Sequence, residues 1–122
     1  MAVSISGTDG ITLPSGADIT GKNQCTAWVN FDGTTTPPTI RDSYNVSQII
    51  RTATGQYDVY FKEPMDNNNY AMSFMASDSS WGTVSAIDFK GSNKAVFSVK
   101  QNSGTANVNV STIDIQIFGG KN

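Results

Sequence analysis

The chain has 122 residues, with 8 basic and 10 acidic side chains and a formal net charge of −2. One domain of this size buries a core without a metal or a disulfide, which excludes a two-domain enzyme. The charge argues against a nucleic-acid partner, and we expect neither membrane insertion, for want of an apolar run of about 20 residues, nor a secretion signal. A single cysteine, Cys25, excludes an internal disulfide and fits synthesis in a reducing cytoplasm.

The composition favours β-structure. The chain contains 13 Thr, 14 Ser, 11 Asn and 11 Gly, and 19 Val plus Ile residues against one Leu. β-branched residues favour pleated strands, short polar residues favour turns, and the helix former Glu occurs once. We therefore expect almost no helix.

Residues 1–24 predict an extended N-terminal arm. Turn signals such as Asp9-Gly10 and Pro14-Ser15-Gly16 separate its isolated apolar residues. These residues are too sparse to form a core, so they pack on the main domain or on a neighbouring chain, or stay mobile, and we favour a neighbouring chain. They are Val3, Ile5, Ile11, Leu13 and Ile19.

Residues 25–122 predict an antiparallel β-sandwich of about seven short strands. Apolar residues alternate with a period of two between Gly, Asn and Pro turn signals. The clearest hairpin joins 43–52 to 56–63 through Ala53-Thr54-Gly55. The other strands are predicted at 26–31, 70–76, 84–89, 95–99 and 108–117.

The same alternation predicts which side chains face the core. Tyr44, Val46 and Ile49 are expected to face the same way. Between Val110 and Ile113 the apolar positions change from even to odd, which predicts a β-bulge at Ser111-Thr112. The aromatic residues predicted in the core are Tyr57, Phe61, Phe74, Phe89 and Phe97.

The residue types argue against catalysis. Without histidine, nucleophile and acid–base schemes that need it are excluded. The nine Asp residues are scattered among turns, where Asp is a common turn residue, and no spacing typical of metal ligands occurs. Cys25 is interpreted as a small buried hydrophobe, with a reactive thiol as the alternative. We therefore predict a protein that is not an enzyme and binds neither cofactor nor metal.

Two polar loops are the candidate ligand contacts. Trp81 lies in a loop of small polar residues, where its ring could stack on the C–H face of a sugar or fold back as a lid on the sandwich. Three consecutive asparagines either bind a ligand or simply form a turn. The candidate residues are Asp78, Ser79, Ser80, Trp81, Asn67, Asn68 and Asn69.

Several ordered segments within residues 25–76 resemble a recurring segment of bacteriophage and prophage tail-fibre proteins. The turn that follows residues 55–65 departs from the family pattern, because Pro64 precedes Met65 and Asp66 rather than proline follows it. Upstream, 10–16 (GITLPSG) is similar to a Gly-Ile-Thr-Phe-Pro-Asp-Gly element of such fibres. The segments are 27–33 (AWVNFDG), 39–47 (TIRDSYNVS), 55–65 (GQYDVYFKEPM) and 69–71 (NYA).

This resemblance implies a homotrimeric virion protein of the tail, made in the bacterial cytoplasm, that binds a host cell-surface glycan or protein. The expected function is therefore a noncatalytic receptor-binding domain. The alternative is a purely structural virion protein, such as a fibre connector or capsid decoration, whose partners are other virion proteins.

Overall fold

The computed structural model describes residues 4–6, 10–12, 24–77, 83–101 and 106–121. Within these ranges the regular structure consists of β-strands, as the composition predicts, and no helix is long and apolar enough to cross a membrane. The strands are β1 (Ser4–Ser6), β2 (Gly10–Thr12), β3 (Cys25–Asp32), β4 (Thr39–Tyr44), β5 (Val46–Ala53), β6 (Gln56–Phe61), β7 (Ala71–Ser77), β8 (Thr83–Lys90), β9 (Lys94–Gln101) and β10 (Thr112–Phe118).

Eight of these strands form two antiparallel sheets of four, which confirms the predicted β-sandwich. The first sheet has the order β4-β3-β10-β7 and the second has the order β5-β6-β9-β8. β1 and β2 form a separate hairpin in which Ile5 pairs with Ile11. The rest of the predicted arm up to residue 23 lies outside the described residues, so its packing on a neighbouring chain stays a prediction.

The core lies between the two sheets and follows the period-two alternation. A strand places successive side chains on opposite faces, so every second residue of a central strand points inward. The inward rows are Ala27, Val29 and Phe31 on β3, Tyr57, Val59 and Phe61 on β6, Ala95, Phe97 and Val99 on β9, and Ile113, Ile115 and Ile117 on β10, all of them buried.

Aromatic rings from both sheets meet at Phe97. Its ring centroid lies 5.0 Å from that of Phe74, 5.4 Å from that of Tyr57 and 6.2 Å from that of Phe31. Tyr57, Phe61 and Phe97 are buried, and Phe74 packs partly buried against them. The core prediction is confirmed for these four side chains.

The core prediction for Phe89 is wrong, since this side chain is 51% exposed. The pairing of β8 with β9 shifts register between Ile87 and Phe89, so Phe89 lies opposite Val96 and not opposite the buried Phe97. The shift reverses which residues of β8 point inward. A Cβ atom on Gly91 would lie 2.7 Å from Cε1 of Phe89, so the ring lies against the Gly91 backbone.

Residues 43–52 are two strands rather than the predicted single one. Asn45 interrupts them with a φ of 55°, in the left-handed region that asparagine tolerates. Its side chain fixes the corner, because Nδ2 donates to the carbonyl of Thr26 at 3.1 Å and Oδ1 accepts from the N–H of Glu63 at 2.7 Å. Tyr44 therefore ends β4 in the first sheet while Val46 begins β5 in the second, and the two side chains do not share a face.

Residues 108–117 are likewise not one strand with a bulge. β10 begins at Thr112, and the preceding residues cross from the second sheet to the first. The N–H of Val108 donates to the carbonyl of Val99 in β9, whereas the carbonyl of Val110 accepts from the N–H of Gly33 beside β3. The change of the apolar residues from even to odd positions, between Val110 and Ile113, occurs at this crossing.

Candidate functional site

Outward-facing side chains of β3 and β10 form the centre of an exposed face on the first sheet. Trp28 lies between the buried Ala27 and Val29, and Phe118 follows the buried Ile117. Trp28 is half-buried and Phe118 is 43% exposed. Trp28 pairs with Gln116, so Phe118 is its diagonal neighbour at about 7–8 Å.

Tyr44 extends this face to the edge strand β4. It pairs directly with Trp28, which places the two Cβ atoms about 4.5–5.5 Å apart. The Tyr44 side chain is 56% exposed. The surface that carries Trp28, Tyr44 and Phe118 is called the aromatic face below.

Polar side chains occupy the adjacent row of the aromatic face. Asp114 pairs with Asn30 across the strands, and Nδ2 of Asn30 donates a hydrogen bond to Oδ1 of Asp114. Arg41 donates from Nη1 to Oδ1 of Asn30 at 3.5 Å and from Nη2 to the carbonyl of Ser111 at 2.6 Å. The Asn30 amide is thus held between a donor and an acceptor, which fixes its orientation.

A depression of about 490 Å³, the central depression, lies in the aromatic face. A second depression shares Cys25 with it and extends past Tyr44 and Glu63. A third shares Asp114 and reaches Met75, and a fourth shares Phe118 and reaches Asn67 and Asn69. The side chains that line the central depression include Cys25, Trp28, Asn30, Asp114, Gln116 and Phe118.

The predicted asparagines lie at the rim of this surface. Asn68 and Asn69 are exposed and Asn67 is half-buried. Their loop is anchored, because the N–H groups of Asp66 and Asn67 donate to the carbonyl of Gly120 at 2.7 Å and 3.3 Å. Oδ1 of Asn67 accepts from the N–H of Asn69 at 2.9 Å, which is the predicted turn chemistry. The turn interpretation is confirmed, and ligand binding by these side chains stays a prediction.

The predicted contacts Asp78, Ser79, Ser80 and Trp81 lie outside the described residues. They follow Ser77 at the end of β7, whereas Asn67–Asn69 precede its beginning at Ala71. A strand of seven residues is about 20 Å long. Whether the two predicted groups share a site stays a prediction.

Cys25 is half-buried rather than fully buried, and its thiol donates weakly to the carbonyl of Ala27 at 3.4 Å. Cys25 lines the central depression and also the depression that extends past Tyr44 and Glu63. In the part of the chain that the structure describes, no three His, Cys, Asp or Glu side chains are grouped to hold a metal ion.

Sequence reasoning missed the aromatic face, although part of the signal was present. Alternation with the buried Val29 places Trp28 outward, and alternation with Ile117 does the same for Phe118. Tyr44 could not be found in this way, because the corner at Asn45 breaks the alternation. Which outward residues become neighbours depends on strand order, which the sequence pattern does not contain.

Asp32, at the far end of β3, makes stability depend on pH. A hydrogen bond from the Thr34 hydroxyl, followed by one from the Thr34 N–H and by the Arg41 charge, holds the pKa of Asp32 below its ordinary 3.8. A carboxyl with a lowered pKa stabilises the fold above its unfolded pKa, and this stabilisation is lost as pH falls through the folded pKa.

We therefore expect the advantage of the wild type over Asp32→Asn to be present at pH 6 and to shrink below pH 3.8. Urea unfolding of both proteins at pH 6 and pH 3 measures it. A difference in free energy that is equal at both pH values would contradict the assignment.

No family model, no curated protein and no solved structure matches the chain. The resemblance of residues 10–16 and of the segments within residues 25–76 to tail-fibre proteins therefore stays a prediction from the sequence.

Proposed function

We propose that the chain is a noncatalytic domain of a phage tail fibre that attaches to a glycan of the host cell surface through the aromatic face. The observation that carries the proposal is the juxtaposition of Trp28, Tyr44 and Phe118 with Asn30 and Asp114. Aromatic rings present apolar surface to the C–H face of a sugar, and neighbouring amides and carboxylates form hydrogen bonds with its hydroxyls.

The arrangement of the aromatic face suits an extended ligand. The cross-strand spacing from Tyr44 to Trp28 and the diagonal spacing from Trp28 to Phe118 add up to about 12 Å. Both strands that carry Trp28 and Phe118 are central in their sheet, so hydrogen-bonded neighbours hold them on each side. A site built on such strands binds without reorganising, which lowers the entropic cost of binding.

The tail-fibre assignment draws on the sequence. Trp28 and Asn30 belong to the segment 27–33, and Tyr44 belongs to 39–47, two of the segments that resemble tail-fibre proteins. In that setting the domain would be a homotrimer on the virion, which multiplies weak single contacts into firm attachment.

Binding of the fluorescently labelled chain to immobilised bacterial surface polysaccharides tests the proposal. We expect saturable binding to a subset of them, and loss of cell binding after periodate oxidation of the cell-surface sugars. Cell binding that survives periodate but not protease treatment would instead identify a protein receptor.

A structural virion role is the second candidate, favoured by a different surface. β7 and β8 end their sheets, so one edge of each has no partner among the described strands. Met75 is 74% exposed, Phe89 51% and Ile87 43% on these two strands. Edges of this kind pair readily with other chains. Light scattering of the wild type and of Met75→Lys tests it, because assembly through the β7 edge predicts an oligomer that a charge at this position dissociates.

A further inference from the structure

We infer that the central depression selects uncharged glycans and excludes acidic ones, with the Asp114 carboxylate as the group that decides. The inference rests on the proposed function, because it names the ligand class of the same face. The central depression would distinguish neutral hexose polymers from polymers that contain uronate, sialate, sulfate or phosphate groups.

Asp114 occupies a central position on the exposed face of the first sheet. Its neighbours across the strands are Asn30 on β3 and Met75 on β7, so it lies in the interior of the sheet surface. The side chain is exposed and lines two adjoining depressions. A ligand that fills the central depression, which Trp28 also lines, therefore meets the Asp114 carboxylate.

The Asp114 carboxylate can accept more hydrogen bonds than the one it receives from Asn30. An ionised carboxylate has about four acceptor sites, and the bond from Nδ2 of Asn30 uses one of them. Because Arg41 fixes the carbonyl end of the Asn30 amide, Nδ2 stays directed at Asp114 and orients it. Such an oriented acceptor suits the hydroxyl groups of a sugar, which are donors.

The described side chains that line the central depression carry a net negative charge. Among the described residues that line the central depression, Asp114 is the one carboxylate and there is no lysine or arginine. The nearby Arg41 is already engaged by Asn30, by the Ser111 carbonyl and by Asp32 at 3.9 Å. An anionic group at the depression would meet uncompensated negative charge, and partial desolvation strengthens that repulsion.

Lysines of the neighbouring depression do not reverse this conclusion. Lys62 and Lys121 lie there together with Glu63, so their charge is partly offset. Nζ of Lys121 also donates to the carbonyl of Pro64 at 2.5 Å. Lys121 also lines the depression on the Phe118 side. The lysines thus lie in two adjoining depressions and not among the residues that line the central depression with Asp114.

The test compares oligosaccharides from bacterial surface polysaccharides in matched pairs, one neutral and one carrying a uronate. Calorimetric titrations use the full-length wild type, Asp114→Asn, and Asp88→Asn as a control that removes an exposed carboxylate on β8. We expect the wild type and the control to bind the neutral member at least about tenfold more tightly. Asp114→Asn should weaken neutral binding and reduce the preference to about twofold.

Two results overturn the inference in distinguishable ways. In the first, Phe118→Ala weakens binding, which supports the aromatic face as the binding site. The inferred ligand class is nevertheless wrong if the acidic member binds as tightly as the neutral one, or if Asp114→Asn leaves the ratio of the two affinities unchanged. If no oligosaccharide binds, or Phe118→Ala changes none of the affinities, the proposed function fails together with the inference. Circular dichroism of each variant establishes that it is folded.

Discussion

Replacing Phe97 with alanine is expected to destabilise the protein by about 3–5 kcal/mol, the largest stability effect that we predict. The Phe97 side chain is fully buried and its ring lies within 6.2 Å, centroid to centroid, of three other rings. Alanine at this position removes the apolar contacts of both sheets at their meeting point and leaves a cavity that the rigid β-strands cannot close.

Phe89→Ala is the matched control, because it makes the same chemical change at an exposed position. Phe89 is 51% exposed and lies outside the core, so we expect a loss below about 1 kcal/mol. Guanidinium unfolding of the two variants measures both losses of unfolding free energy, and we expect the same dependence of that free energy on denaturant concentration in both. Similar losses in the two variants would show that Phe89 is part of the core after all.

Replacing Trp28 with alanine is expected to weaken glycan binding by about 30-fold or more without unfolding the protein. Trp28 is flanked by Tyr44 on the neighbouring strand and by Phe118 on the diagonal, so it occupies the centre of the aromatic face. Central aromatic side chains commonly contribute about 2 kcal/mol or more to binding, which corresponds to this change in affinity.

Two further variants make the Trp28 measurement specific. Trp28→Phe keeps an aromatic ring and should retain most of the affinity. Ile50→Ala removes apolar surface that is 40% exposed on β5 of the second sheet, and it should bind as the wild type does. Titration calorimetry with the polysaccharide that the wild type binds most tightly measures the affinity of all three variants. If Ile50→Ala weakened binding as much as Trp28→Ala, the ligand would contact the other sheet.

The two incorrectly predicted strands have a common cause. Residues 43–52 and 108–117 both contain a passage from one sheet to the other. Backbone preference for strand is similar on both sides of such a passage, so the apolar pattern predicts one strand where there are two segments. The positive φ of Asn45 and the hydrogen bonds of Val108 and Val110 to different sheets exist only in the folded chain.

In the candidate site, too, local features could be predicted from the sequence, whereas contacts between distant strands could not. The turn at Asn67–Asn69 could be predicted because turn chemistry is local, and Asn67 and Asn69 line one of the adjoining depressions. The aromatic face is assembled from β3, β4 and β10, which are distant in sequence, and Trp28 meets Gln116 only through the strand order. Trp81, the aromatic residue that the loop composition favours, lies outside the described residues.

The sequence by itself determined the all-β class, the Gly55 hairpin and the inward rows of the central strands, because turn residues and period-two alternation are local properties of the backbone. Tertiary structure alone decided that Tyr44 and Val46 separate into different sheets, that Phe89 faces outward, and that Trp28, Tyr44, Phe118 and Asp114 share one surface. The physical reason is that sheet order and register are set by packing between segments that are remote in the chain.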